Sequence, residues 1–197
     1  MPSLPRLLVP LLLLGACGPS LPPRYVVEAD VDEFAYRRYQ RVLDVEVPVA
    51  GNPAEGHTAT YVARRRDGAE VVFATAFVTV YEAAPSLTAE VRERLQELAS
   101  LELRTVRTHR ANVWRLEGDE TRWVLWVSGR HVVKLGGPPG EEVPDALLRR
   151  YLSLYPSDLD RRGRARSGAD SAGPSQAEAA DDAELDVPAS LREGAPR

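Results

Sequence analysis

The fold of this chain is decided by residues 104–135, which read RTVRTHRANVWRLEGDETRWVLWVSGRHVVKL. The apolar residues of this stretch fall into four short runs rich in β-branched and aromatic side chains, which are typical of β-strands. These runs are Arg104–Thr108, Asn112–Leu116, Arg122–Val127 and His131–Leu135. Turn residues at Gly118-Asp119 and Ser128-Gly129 separate the last three runs. The stretch therefore predicts an antiparallel meander of four strands.

A hairpin is predicted upstream of the meander. Asp67-Gly68 is a strong two-residue turn signal, and the strands predicted on either side of it are Thr58–Arg66 and Glu70–Tyr81. The second strand is apolar on both faces, with Val71, Val72, Phe73, Phe77, Val78 and Val80. We therefore expect it to lie at the centre of a sheet and to be covered on both sides.

A half-buried strand is predicted before the hairpin, at Arg41–Val49. In this segment Leu43, Val45 and Val47 alternate with Val42, Asp44 and Glu46 and so face one side of the strand. The preceding segment, Glu28–Tyr39, fits either a short helix or an extension of the same strand.

Two amphipathic helices are predicted. The first begins near Pro85-Ser86-Leu87-Thr88, and its apolar stripe consists of Leu87, Val91, Leu95, Leu98 and Leu101. The second begins at Pro144 and stops before Pro156, and its apolar face consists of Leu147, Leu148, Tyr151, Leu152 and Tyr155. We expect Glu141-Glu142 to cap this helix, because negative charge is favoured at a helix N-terminus.

The predicted elements follow the order strands, helix, strands, helix. Strands grouped before each helix predict an α+β fold with one antiparallel sheet and both helices on one face. We assign residues 24–156 to this single globular domain. The element order resembles that of small exported α+β domains such as the PsbP-like family. No motif is shared, so the resemblance carries no site residues over.

The N-terminus carries the features of a secretory signal. Arg6 precedes the apolar run Leu7–Leu14, which is shorter than the roughly 20 residues that cross a bilayer and matches the apolar region of a signal peptide. The run ends in Leu14-Gly15-Ala16-Cys17, which resembles the lipobox of bacterial lipoproteins.

The resemblance implies that residues 1–16 are removed and that a lipid on the sulfur of Cys17 anchors the mature chain to a membrane. Gly18 follows the cysteine in place of aspartate, which implies the periplasmic face of the outer membrane in a Gram-negative host. The alternative is an ordinary signal peptide cut nearby, with Cys17 a chance thiol.

Segments of low complexity are predicted at both ends of the mature chain. Residues 17–23 form a Pro-rich tether, which we expect to be extended. Residues 157–197 contain no aromatic side chain and are dominated by Ala, Gly, Ser, Asp, Glu and Arg. We expect this tail to be disordered, because it cannot bury enough apolar area to offset the entropy of ordering.

The sequence shows no pattern of a catalytic or metal site. The net charge of −4 and the pI of about 5.5 argue against nucleic-acid binding. His57, His109 and His131 do not stand in the spacing of a zinc protease, and G-x-S-x-G is absent. Cys17 is the sole cysteine, so its lipidation would leave no thiol nucleophile. We therefore expect no metal, no cofactor and no catalytic residue.

The three tryptophans suggest a binding surface. Trp114, Trp123 and Trp126 all lie in the predicted meander, and Trp123 and Trp126 must point to opposite faces of one strand. The arginines nearest to them in sequence are Arg115, Arg122 and Arg130. Aromatic rings beside arginines can bind an anionic or glycan ligand or a partner protein. The alternative is that the rings pack under the aliphatic arginine stems.

These features predict a membrane-anchored envelope lipoprotein with a non-enzymatic binding or structural role. The expected partners are the membrane, through the lipid on Cys17, and an envelope protein or glycan. The alternative is an envelope hydrolase whose site is not visible as a sequence motif.

Overall fold

The computed structural model of the chain describes residues 21–166 apart from residues 23, 44, 46, 65–70, 98–101 and 119–120. The elements in this part are β1 (Ala35–Val42), β2 (Ala54–Arg64), β3 (Val71–Tyr81), α1 (Leu87–Glu97), β4 (Glu102–Thr108), β5 (Ala111–Glu117), β6 (Arg122–Ser128), β7 (His131–Gly136) and α2 (Asp145–Leu154). Several predictions lie outside the described residues: the signal peptide, Cys17, the turn Asp67-Gly68, the helix positions Leu98 and Leu101, and the tail beyond residue 166.

The strands form one antiparallel sheet in the order β1-β2-β3-β7-β6-β5-β4. The sheet joins the first three strands of the chain to the meander β4–β7 through the pairing of β3 with β7. The predicted α+β class with an antiparallel sheet is confirmed, and the domain is mostly sheet. Successive neighbours from β3 to β4 are antiparallel, so β3 and β4 point the same way and α1 connects the middle of the sheet to its edge.

The first strand lies earlier in the chain than the predicted Arg41–Val49. β1 pairs with β2 as far as Val42 opposite Gly56. Leu43 is 82% exposed whereas Val47 is buried, so the prediction that both face one side is wrong. Val47 lies instead over the sheet, where its carbonyl accepts a hydrogen bond from Tyr81 Oη at 2.5 Å. Pro48 cannot donate a backbone hydrogen bond, which opposes continuation of the ladder.

The sheet presents two faces, which we name from rows of paired residues. One row across β2, β3, β7 and β6 consists of His57, Val78, Val133 and Trp126, and we term its side the α2 face. The neighbouring row of paired residues consists of Thr58, Phe77, Lys134 and Leu125. Its side chains point to the opposite side of the sheet, which we term the α1 face.

The two helices lie on opposite faces, so the prediction of both on one face is wrong. Tyr151 of α2 is hydrogen-bonded through its hydroxyl to Tyr61 Oη at 2.8 Å on the α2 face. α1 lines a groove together with residues 160–166, in which Gly163 lies against Trp114 on the α1 face. The connection from β3 to the edge strand β4, which contains α1, has to cross one face of the sheet. Because α2 occupies the other face, α1 and α2 lie on opposite sides.

The segment before β1 covers part of the α2 face. Val27 and Phe34 are buried in the core, and the ambiguous segment Glu28–Tyr39 becomes strand only from Ala35 onward. The Val27 carbonyl accepts a hydrogen bond from Tyr61 Oη at 2.7 Å, and the Val27 amide donates to Tyr151 Oη at 3.1 Å. Tyr155 Oη donates to the Tyr25 carbonyl at 2.7 Å. These bonds tie the beginning of the domain to α2.

The domain continues past Pro156, where the sequence predicted that the tail begins. The Ser157 hydroxyl donates to the Asn112 carbonyl, and the Asp158 amide donates to the Val127 carbonyl at 2.9 Å. The chain thus passes between the ends of β5 and β6 and reaches the α1 face, where Leu159 is fully buried. The prediction of a disordered tail is therefore wrong for residues 157–166, because Leu159 and the backbone of this segment complete the core.

Candidate functional site

Part of the α1 face is left uncovered by the described residues. Phe73 in β3 is 54% exposed, and Phe77 and Trp123 are half-buried. The central position predicted for β3 is confirmed, but the prediction that it is covered on both sides is wrong on this face. Apolar side chains that remain accessible on one face of a sheet often mark binding sites.

The position of Trp123 depends on a glycine. Trp123 in β6 is paired with Gly136 in β7, and a Cβ atom at Gly136 would lie 2.2 Å from Cζ3 of Trp123. The indole ring therefore lies directly on the glycine backbone and extends toward β3. There its ring centroid is 5.9 Å from that of Phe77, and the two rings are tilted by 57°.

The side chain of a lysine lies close to both rings. Lys134, the sole lysine of the chain, places its Nζ 3.9 Å from the centroid of Trp123 and 5.3 Å from that of Phe77. An ammonium at such distances is attracted by the ring quadrupole, by roughly 0.5–1 kcal/mol at exposed sites. We term Phe73, Phe77, Trp123 and Lys134 the aromatic patch.

A cavity of about 110 Å³ adjoins the aromatic patch. Phe77 and Lys134 belong to both, and the other walls of the cavity are Val42, Val45, Val47, Gly56, His57, Thr58, Thr79, Leu125 and Val132. The walls are mainly aliphatic, and Val45 and Val47 come from the segment that crosses the sheet after β1. An apolar hollow that opens beside aromatic and charged side chains has the form of a small-ligand site.

The six residues predicted as one binding surface are not brought together. Trp114 and Trp126 are buried in the core on opposite faces, and the Trp126 indole donates to the Tyr155 carbonyl at 2.7 Å. Only Trp123 belongs to the aromatic patch. Arg130 lies in the turn between β6 and β7, at the far end of β6 from Trp123.

The other two predicted arginines bind a carboxylate on the α2 face. Arg115 is hydrogen-bonded to Glu142, and Arg122 reaches the other oxygen of Glu142 at 3.1 Å. Arg115 also pairs with Glu117 at 2.7 Å. Glu142 is thus held by the sheet, and Pro144 at the start of α2 has no side-chain cap, so the predicted capping role of Glu142 is wrong.

His57 is enclosed by hydrogen-bonding partners on the α2 face. Its Nδ1 lies 2.9 Å from Tyr39 Oη, and its Nε2 lies 3.3 Å from Glu55, which also pairs with Arg41. Burial lowers the pKa of His57, against an opposing effect of Glu55, so the ring is neutral at pH 7. His57 is only 6% exposed. The linked side chains of Tyr39, His57, Glu55 and Arg41 therefore serve to hold β1 on β2.

The other two histidines have separate surroundings. His109 Nε2 lies 2.6 Å from Asp145 at the start of α2. His131 Nδ1 lies 3.2 Å from the Ser128 carbonyl, and the Tyr25 ring packs against both His131 and His57. Within the described ranges, no three His, Cys, Asp or Glu side chains are close enough together to hold a metal ion.

Sequence reasoning identified Trp123 in the aromatic patch but missed Phe73, Phe77 and Lys134. Two features of the sequence pointed to these three residues. Lys134 is a lone lysine within an apolar strand of an arginine-rich chain, and β3 carries phenylalanines at positions 73 and 77 on the same side. The missing information was which face of β3 the helices cover.

No protein-family model, curated protein or solved structure matches this chain. Among the described residues, neither helix has the length and the apolar character needed to cross a bilayer.

Proposed function

We propose that this protein is an envelope lipoprotein, held on a membrane by lipid on Cys17, whose domain binds a ligand or partner through the aromatic patch without catalysing a reaction. The observation that carries the proposal is the uncovered group of Phe73, Phe77 and Trp123, with Lys134 over the two half-buried rings. Aromatic side chains in such positions contribute most of the energy of many binding surfaces.

The position of the N-terminal segment supports this arrangement. Leu21 lies in a groove with Arg150 and Leu154 of α2, on the side of the domain opposite the aromatic patch. Leu21 is the fourth residue after Cys17, which allows a span of at most about 14 Å between them. A lipid on Cys17 would hold the α2 side close to the membrane and leave the patch facing the surrounding compartment.

The hydrolase alternative has weaker support. Catalysis by His57 would require a ring nitrogen that can reach a substrate. Both ring nitrogens instead face protein side chains, Tyr39 on one side and Glu55 on the other.

Lipid attachment is tested by replacing the cysteine. Cys17→Ser should abolish labelling of the chain with palmitate and release it from the membrane fraction, whereas the control Ser20→Ala should leave both unchanged. Palmitate labelling that survives in Cys17→Ser would contradict the proposed anchor.

Binding through the aromatic patch is tested by photocrosslinking in the membrane-anchored protein. A benzophenone amino acid at Phe73 should give a crosslinked product with an envelope component. The same group at Glu93, an exposed position of α1, should not. Equal products from both positions, or none from Phe73, would refute binding at this face.

A further inference from the structure

We propose that the cavity beside the aromatic patch binds a short acyl group, with the acyl carbonyl oxygen at Thr58 and Lys134 and the hydrocarbon beneath Val45 and Val47. This inference names the ligand chemistry of the proposed binding face and so rests on the proposed function.

The cavity wall contains a buried hydroxyl. Thr58 is 7% exposed, it lines the cavity, and its Oγ1 has no hydrogen-bond partner among the described residues. A buried hydroxyl without a partner destabilises the fold, because the loss of its contact with water is not compensated. A ligand group in the cavity that reaches Oγ1 would complete this hydrogen bond.

Polar and apolar groups are ordered along the cavity. Thr58, Phe77 and Lys134 form one row across the sheet. The next row on this face, away from Trp123, consists of Gly56, Thr79 and Val132, with Val42 beside Gly56 and the apolar side chains Val45 and Val47 also in the wall. Two hydrogen-bond donors, Thr58 and Lys134, therefore lie toward the patch, and a mainly apolar end lies beyond them.

The size of the cavity limits the length of the chain. An apolar protein cavity of about 150 Å³ holds benzene, so the cavity here, at about 110 Å³, holds roughly four carbons of a chain. Both polar groups at the entrance can donate a hydrogen bond, which favours an acceptor such as the carbonyl oxygen of a carboxylate or an ester.

The test uses the full chain carrying Cys17→Ser, so that its own lipid does not compete. Titration calorimetry and tryptophan fluorescence follow the binding of acetate, propanoate and butanoate and of the methyl ester of butanoate. Affinity should rise about fourfold for each methylene until the cavity is filled. Tighter binding of butanoate than of its ester would identify a free fatty acid as the source, and the reverse order an esterified chain.

A matched pair of variants isolates the hydroxyl. Thr58→Val keeps the shape of the side chain and should weaken butanoate binding about fivefold. Thr60→Val, one row away on the same face and not a lining residue, should leave binding unchanged. Urea unfolding of both variants shows that they are folded.

Three results would overturn the inference: no binding of any acyl probe, affinity that does not depend on chain length, or equal affinity of Thr58→Val and the parent chain. The first would mean that no acyl group binds, the second that the hydrocarbon does not enter the cavity, and the third that the Thr58 hydroxyl does not contact the ligand. Crosslinking from Phe73 that persists in these cases would leave the proposed function standing, whereas loss of that crosslinking alone would refute the proposed function.

Discussion

Replacement of Thr58 by valine should stabilise the domain. The hydroxyl is buried and has no partner among the described residues, and valine has the same branched shape and suits a strand equally well. Removing the polar atom should recover part of its desolvation cost, so we expect the free energy of unfolding to rise by about 1 kcal/mol. For a domain of this size, that corresponds to an increase of about 3–5 °C in the melting temperature.

Urea denaturation monitored by tryptophan fluorescence measures this change, and the slope of the free energy against urea should stay the same because the exposed area is unchanged. Thr60→Val, at a half-buried position, should change the free energy by less than about 0.5 kcal/mol. If Thr58→Val instead lost 1 kcal/mol or more, the hydroxyl would have a partner in solution, such as an ordered water, and the reasoning would fail. An increase in the free energy of unfolding would mean that the domain keeps threonine at its cavity although valine would stabilise the fold more.

Three further changes test other parts of the structure by urea denaturation. Gly136→Ala should lower the free energy of unfolding by about 1–3 kcal/mol and shift the fluorescence of the displaced Trp123; unchanged stability would show that the ring does not lie on the glycine. Tyr61→Phe should cost about 1–2 kcal/mol through the bonds to Val27 and Tyr151, and a neutral result would show that these bonds do not form. Because the pKa of His57 is lowered in the folded state, the unfolded chain binds more protons just below pH 6.5, so stability should fall as the pH drops through this range. His57→Gln should remove that part of the pH dependence, and an identical profile in the variant would contradict the assignment.

The sequence predicted elements better than their arrangement. The meander, the second helix and its buried face, and the opposite directions of Trp123 and Trp126 all follow from local spacing, which a single strand or helix enforces. The error at Arg41–Val49 has a different origin. Its alternating pattern matched a strand, but Val47 is buried by crossing the sheet, and such a segment has no periodicity that distinguishes it from a paired strand.

The candidate site was only partly visible for the same reason. Its members come from β2, β3, β6 and β7 and meet only through the order of strands. Thr58 and Lys134, for example, are 76 residues apart in sequence. Gly136 could not be linked to Trp123 before the register was known. The order of the strands also decided which half of the α1 face stayed uncovered, and this exposed Phe73 while burying Trp114.

The bonds between the first described residues and the last helix have a consequence for how the domain forms. Val27 and Tyr151 are 124 residues apart, and Tyr25 and Tyr155 are 130 residues apart. Contacts of such long range form slowly, because the closure of large loops precedes any gain from the contacts. Because the chain is synthesised from its N-terminus, the domain cannot complete its core until Tyr155 and Leu159 have been added. Until then the tyrosines and valines of the α2 face are exposed, and the nascent domain is open to aggregation or to a chaperone during that interval.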